Sequence, residues 1–574
     1  MKKSILTGVL LSIIFQISQN CFADMINLTG AQLSPHVAEY YIDENRLILK
    51  LEIGEMDKNF FNDLINGDEI KKKEFLSKRL FIKDERGNIL NGNIKLIENR
   101  KRTVRPSPIN NPPGGRQPSE NVTYVEIEYP FTKKPQSLIF NPPLNDNGAA
   151  AVTYGFIVYH DDIPVIDFRF LPYNQKLNLD WSDPWYSKFE NKNLKRHHSS
   201  SLMSFLYVEP YEVRHEILVR LKDLEEWLNL DIEGKKYLSV DEQDKLLTRI
   251  SDFIVTKNKL SIDGVAQNPI VERIQFVKVN LLGIQYYNAL QEIDTVSAVV
   301  GIILVYLTNG MPDKVTVEWD MFSDITNNIP VLKSDPAGPF PDFITPEYST
   351  LVWENYLKNY ELPQVSAVVV EKPLLSRKIT FLISLLSSIV LCILILSVLK
   401  FKQGRFPGRN YIFSIFISLS LFVFILLSFL VPRYEFYQAE KHEGIVSSLL
   451  KNVYRSFDFK NESDIYDKLS TSIDGDLLRQ IYLEIRKNLQ YENTGGAKAK
   501  IQGIELENLS SKQLGNGNGY EYDTNWTVEG KVEHWGHIHN RTNRYNALIT
   551  VNNIDGIWKI TKFQLNDEQR VMPQ

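Results

Sequence analysis

Apolar and polar positions alternate along much of the N-terminal half. Leu47, Leu49, Leu51 and Ile53 alternate with Ile48, Lys50 and Glu52, and Val125, Ile127 and Tyr129 alternate with Tyr124, Glu126 and Glu128. Period-two patterning on short runs broken by Gly, Asn and Pro predicts antiparallel strands, so residues 24–175 read as a β-rich, sandwich-like domain. The pattern then turns helical. Val213, Ile217, Leu218, Leu221, Leu224 and Trp227 recur at helical spacing behind Pro210, and Ser239 with Glu242 makes a capping box for a helix running to about Ile254. Residues 176–260 are therefore expected to be a helical segment on which Arg214, His215 and Glu216 are solvated surface. Strand patterns return in residues 261–378, a second β-rich unit ending in an extended stalk over 362–377. Within it, Val296–Thr308 predicts a buried strand, with Lys314–Asp320 as its partner across Asn309-Gly310.

The order reverses near the C-terminus. Helical patterns cover 437–457, 462–471 and 476–490, and strand patterns cover 497–506, 522–538, 544–551 and 557–565. Asn540–Asn543 is the expected tip of one hairpin, and Asp555-Gly556 makes the last tight turn. Residues 432–574 are thus expected to form an α+β domain.

Three apolar runs set the expected topology. Residues 1–23 have the parts of a signal peptide: Lys2 and Lys3, an apolar stretch Ile5–Ile17, and Cys21-Phe22-Ala23 before Asp24. The short MKK start is bacterial in style. Residues 379–399 and 411–431 are charge-free and long enough to cross a bilayer, which predicts a two-helix transmembrane hairpin. The loop 400–410 between them carries Lys400, Lys402, Arg405 and Arg409 and no acid, so it is expected to be cytoplasmic. Both soluble regions would then face the periplasm of a bacterial inner membrane. The spans hold no ionisable residue and read as an anchor. The expected partners are the inner membrane, through the two helices, and envelope proteins.

Composition narrows the function classes. The 574 residues leave room for about three or four domains. An apolar content of 43% argues against a disordered chain, and a mean hydropathy of −0.22 argues against one that lies mostly in a membrane. With 65 basic against 70 acidic residues, there is no case for nucleic-acid binding. Cys21 and Cys392 fall in the signal peptide and the first span, so the exported regions offer no thiolate ligand or cysteine nucleophile. No G-x-S-x-G, H-E-x-x-H, P-loop or strand-linked G-x-G-x-x-G occurs, and no cofactor is expected.

Three places could carry chemistry. His537 and His539 have the two-residue spacing of zinc- or copper-binding strand pairs, Glu533 shares their parity, and His534 lies nearby. The alternative is a hydrogen-bonding structural cluster. Asp180, Trp181, Asp183 and Trp185 set paired carboxylates beside indole faces, which suits glycan contact or acid–base work, or else a rigid junction with Asp capping a turn. The proline-broken stretch Arg100–Glu120, with Arg100, Lys101, Arg102, Arg105 and Arg116, reads as a mobile hairpin tip or a basic docking loop.

Two resemblances add to this reading. The C-terminal helices followed by an antiparallel sheet resemble the NTF2-like (cystatin-like) fold. Phe457–Leu469 matches its helix-loop-helix opening, and Gly556-Ile557-Trp558-Lys559-Ile560 its closing strand. The likeness covers about a quarter of the chain. It implies a cone that holds ligand in some members and is filled in others, and it brings no catalytic residue. On Asp180–Ser187 (DWSDPWYS) and His534–Asn543 (HWGHIHNRTN), the whole chain resembles uncharacterised bacterial exported two-span membrane proteins, which implies no activity. The expectation is a membrane-anchored periplasmic interaction protein without evident catalysis. The alternatives are a ligand-binding or enzymatic module in the C-terminal cone or Trp-rich loop, and metal handling by the histidines.

Overall fold

The structure is a computed structural model that describes residues 29–105, 118–197, 199–280, 283–287, 291–370, 441–459, 462–492, 498–515 and 517–571, with single positions at 385, 388, 416, 420 and 423. The chain divides into two compact units. One comprises Asn20–Tyr360 with His534–His537, and the other Glu361–Glu533 with Ile538–Gln574.

The first unit begins as a sandwich. Its larger sheet runs Asn93–Lys101, Asn121–Pro130, Arg46–Ile53, His36–Ile42, Tyr154–His160, Ile163–Pro164, with Arg169–Phe170 also on Tyr154–His160. A four-stranded sheet faces it, in the order Lys188–Phe189, Gln175–Asn178, Ser137–Phe140, Ile82–Asp84. Tyr40, Leu49, Leu51 and Ile127 of the first sheet share one core with Leu138, Phe140, Leu177 and Phe189 of the second. The alternation that predicted these strands is the signature of that shared core.

A second pair of sheets follows. Seven strands run Gly283–Tyr286, Ile270–Asn280, Ala298–Leu307, Glu212–Arg220, Leu202–Glu209, Ile329–Asp335, Gly338–Ile344. Four others run Val265–Ala266, Lys259–Ile262, Lys314–Glu318, Thr350–Glu354. The helix Val240–Lys257 starts at Ser239, where both halves of the capping box with Glu242 form. Leu246, Ile250 and Ile254 of this helix join Leu206, Val213, Ile217, Val300, Ile302 and Leu304 of the larger sheet in one core.

Two expectations are corrected here. The helical reading of residues 213–220 fails, because Leu202–Glu209 and Glu212–Arg220 form an antiparallel hairpin. Every residue of Glu212–Arg220 is buried, and its alternation of Val213, Ile217 and Val219 with Glu212, Arg214, Glu216 and Arg220 is broken by His215 and Leu218. A spacing of four fits both a helix period and two strand periods, and helical geometry begins only at Leu221–Leu224. Ala298–Leu307 is the expected buried strand, but it pairs with Glu212–Arg220 and Ile270–Asn280. Lys314–Glu318 lies in the other sheet, between Lys259–Ile262 and Thr350–Glu354.

In the second unit, helices over residues 441–455, Glu462–Ser470 and Gly475–Glu492 precede an antiparallel meander of Lys498–Gln513, Gly519–His534, His537–Ile554 and Ile557–Val571. Register shifts between Ile501 and Gly503, and between Thr550 and Val551, mark bulges that bend the sheet. Val446, Leu449, Val453 and Ile481 pack on Trp526, Ile549 and Val551. The start of the expected stalk belongs to this unit. Val370 N–H donates to Gly556 O at 2.8 Å, Trp558 N–H donates to Val368 O at 2.8 Å, and Val369 bridges Ile557.

The expected two-helix transmembrane hairpin is not found. Among the described residues, no helix is long and apolar enough to cross a membrane. The fold class with that hairpin, the membrane anchor, the inner membrane as partner and the inner-membrane, periplasm-facing location are corrected accordingly. Hydropathy over a run measures length and composition, whereas a span also needs one continuous helix. Of the two runs, only Leu385, Ser388, Phe416, Ser420 and Val423 are described, each helical. The rest of both runs, the loop 400–410 and the signal peptide 1–23 lie outside the described residues.

Candidate functional site

The acidic–aromatic loop is a half-buried junction inside the first unit. Asp180 Oδ1 accepts from the N–H groups of Ser182 and Asp183, at 3.0 and 2.9 Å, and from Ser182 Oγ–H. Asp183 caps the short helix Pro184–Tyr186 by accepting from Trp185 N–H. It also takes both ends of the Arg220 guanidinium, at 2.7 and 2.8 Å, and Lys222 at 3.1 Å. Burial alone would raise the Asp183 carboxyl, but hydrogen bonds and charge from Arg220, with Lys222, outweigh it and hold it below its usual range. Trp185 is buried with the Arg196 and Arg220 guanidinium groups over its ring, at 4.2 and 4.9 Å. Trp181 donates to Pro135 O at 2.7 Å and meets His160 edge-on at 4.6 Å. Both carboxylates are thus engaged as a turn former and a bidentate ion-pair partner.

The basic loop is equally engaged where it is described. Arg105 bonds Glu39 at 2.7 Å and Glu52 at 2.6 Å, Arg100 lies 3.5 Å from the Tyr124 ring centre, and Arg102 donates to the carbonyls of Ser34 and Pro35. Residues 106–117, Arg116 among them, lie outside the described residues.

For the histidine cluster, the backbone alone is informative. Gly519–His534 and His537–Ile554 are joined by a two-residue turn at Trp535-Gly536, not by the expected tip at Asn540–Asn543. The side chains of Glu533, His534, His537 and His539 lie outside what the structure describes. Among the described residues, no group of three or more His, Cys, Asp and Glu could hold a metal ion.

The structure assembles one constellation around His215, which the sequence reading assigned to a helix surface. Ser204 Oγ lies 2.7 Å from His215 Nε2, and His215 Nδ1 lies 2.5 Å from Asn258 Oδ1. Asn258 Nδ2 donates to the Tyr306 hydroxyl. Asn258 Oδ1 can only accept, so Nδ1 carries the imidazole proton and Nε2 accepts from Ser204 O–H. This is the nucleophile–base–orienter order of a hydrolase triad. However, Ser204 and His215 are 0% exposed and Asn258 3%, under the helix-side core, so a substrate carbonyl has no approach. Burial also lowers the His215 pKa to about 4. The set reads as a satisfied neutral network.

Among the described residues of the second unit, the packing between helices and sheet is close. Between helices and sheet there is a cavity of about 20 Å³, lined by Leu450, Tyr454, Phe457, Leu477, Trp526 and Phe563 among others. That is room for about one water, and no acid lines it.

The opposite face of the seven-stranded sheet is different. Register places Phe205 beside Glu216 and Glu216 beside Ile303, Tyr207 beside Arg214 and Arg214 beside Val305, and Leu218 beside Gly301. Trp535 is seated on this face, 1% exposed. Its N–H donates to Glu216 Oε2 at 2.6 Å, and the Gly536 N–H donates to the Tyr207 hydroxyl at 2.9 Å. The indole lies over Gly301, where an added Cβ would meet ring atoms at 2.7 and 2.9 Å. Arg214 sits 2.9 Å from Glu216 and 4.4 Å from the Tyr207 ring centre, and the carboxylates of Glu216 and Glu212 outweigh burial to keep its guanidinium charged. The turn has φ of 48° at Trp535 and 79° at Gly536, as a type I′ turn requires. A left-handed backbone costs a non-glycine residue roughly 1–2 kcal/mol, and such strain persists where surroundings over-determine it. Only the Trp-Gly dipeptide next to strand-like patterns could have signalled this site.

No protein-family model and no curated protein matches the chain. A solved structure, the crystal structure of the intermembrane space region of the chloroplast protein ARC6, is similar over 22% of this chain and 95% of that one, at 18% identity and a TM-score of 0.18. At that score the likeness carries no argument about fold or function.

Proposed function

We propose that this chain is an interaction protein that works by protein–protein recognition rather than by catalysis. The seat of Trp535 carries this reading. A charged, aromatic sheet face holds the backbone of a tight turn through two directed hydrogen bonds, and that turn bears backbone strain at its aromatic residue. The candidate catalytic groups support the same reading from the other side. Asp180 and Asp183 act as cap and ion-pair partner, and Ser204 with His215 closes a neutral network in the core.

Two baits test it: the full chain and its Trp535→Ala variant, each used for affinity capture and each treated with a fluorophosphonate probe. The expected outcome is a protein set retained differently by the two baits, with no labelling of Ser204. Identical retention, or labelling that disappears in Ser204→Ala, overturns the reading.

A further inference from the structure

We propose that the Trp535 seat is a recognition site for a partner protein presenting an aromatic–Gly β-turn, and that this chain's own turn occupies it. The inference rests on the interaction reading and names the partner class.

The seat specifies its occupant at three points. Gly301 leaves an indole-sized gap in the sheet face, bordered by Leu218 on the adjacent strand, so the first turn residue must carry a large flat ring. The Glu216 carboxylate accepts the N–H of that same residue, which orients the backbone as well as the ring. The Tyr207 hydroxyl takes the next N–H, and a Cβ on that residue would collide with the Phe205 ring, so the second position must be Gly. Its positive φ makes the same demand. An aromatic–Gly pair in a type I′ turn satisfies all three, whichever chain supplies it. Around the gap, Met203, Phe205, Leu218, Val277, Ile303 and Val305 form one buried apolar cluster with Trp535. The face therefore needs an occupant, and its own turn fills that need at the cost of a left-handed tryptophan.

The probe is a fluorescent, backbone-cyclised peptide of residues 531–540, titrated against the full chain and read by anisotropy. Trp535→Ala, which vacates the seat, is expected to bind it at least ten-fold tighter than the unaltered chain. A Gly536→Ala peptide should bind at least ten-fold more weakly, and adding Gly301→Leu to the vacated protein should abolish binding. If Trp535→Ala fails to fold, Gly536→Ala in the full chain, whose Cβ would meet the Phe205 ring and unseat the turn, is read in the same way. Absence of saturable binding to a folded vacated variant overturns the proposal, as does equal binding of the two peptides or binding that survives Gly301→Leu. Peptide failure combined with different capture by the two baits removes only the partner class. Identical capture removes the interaction reading itself.

Discussion

His215 and Glu216 are neighbours on one strand, yet they meet two different environments. His215 faces the core under the helix Val240–Lys257, where Ser204 and Asn258 satisfy both ring nitrogens. Glu216 faces the other way, where it pairs with Arg214 and accepts the backbone N–H of Trp535. Both are buried, so burial does not separate a structural polar group from one proposed to recognise a partner. The closing element does. A continuous helix seals one face, whereas a two-residue turn with a left-handed tryptophan closes the other. A neutral, fully paired network resists change, and the strained closure is what the proposed exchange would release.

The largest effect should come from opening the face that Trp535 covers. Trp535→Ala removes a fully buried indole from an apolar cluster and should cost roughly 3–5 kcal/mol in the urea unfolding of the first unit. A loss below about 1 kcal/mol would mean that the turn is incidental to that face.

Acid should break the other face. Burial holds His215 at about pKa 4 against an ordinary 6.5, so between those values the unfolded chain binds a proton that the folded chain refuses. The stability from this group is complete above about pH 6.5 and is lost as pH falls toward 4, by up to about 3 kcal/mol. His36 and His160 are lowered to about 4 as well, each chiefly by burial, so the measurement is a difference. Urea midpoints at pH 7 and pH 4.5 should diverge less in His215→Gln than in the unaltered chain. Equal divergence would show that His215 is not held neutral.

A smaller effect isolates the network itself. Asn258→Ala leaves His215 Nδ1–H and the Tyr306 hydroxyl without that partner and should cost about 2 kcal/mol. The double change Asn258→Ala with Ser204→Ala should cost less than the sum of the two single changes, because paired groups couple. Strict additivity would mean that Ser204 and Asn258 do not act through His215.

The smallest expected effect concerns the strand ends beside Trp535. Equimolar zinc should change the melting temperature of the full chain little. A clear rise, abolished in the double variant His537→Ala and His539→Ala and fading below roughly pH 6, would reveal a metal site there.

Local pattern determined much of this protein. Alternation at Leu47–Ile53 and Val125–Tyr129 marked strands with one buried face, Ser239 and Glu242 marked a helix start, and Asp555-Gly556 marked a turn that has positive φ at both residues. Each of these signals is complete within a few residues, so sequence reports it directly. Asp180 and Asp183 were legible as turn and cap formers for the same reason, though their ion-pair partner, Arg220, was not. Tertiary structure alone decided the rest. Glu212–Arg220 is buried on both faces, so His215 and Leu218 can break its apolar–polar alternation, and the four-residue spacing of Val213, Ile217 and Leu221 imitates a helix. The partners of Ala298–Leu307 depend on which strands lie beside it, and residue spacing within a strand carries no record of that choice. The seat of Trp535 joins residues more than two hundred positions apart in the chain. Its chemistry exists only where long-range pairing brings Glu216, Tyr207 and Gly301 onto one surface.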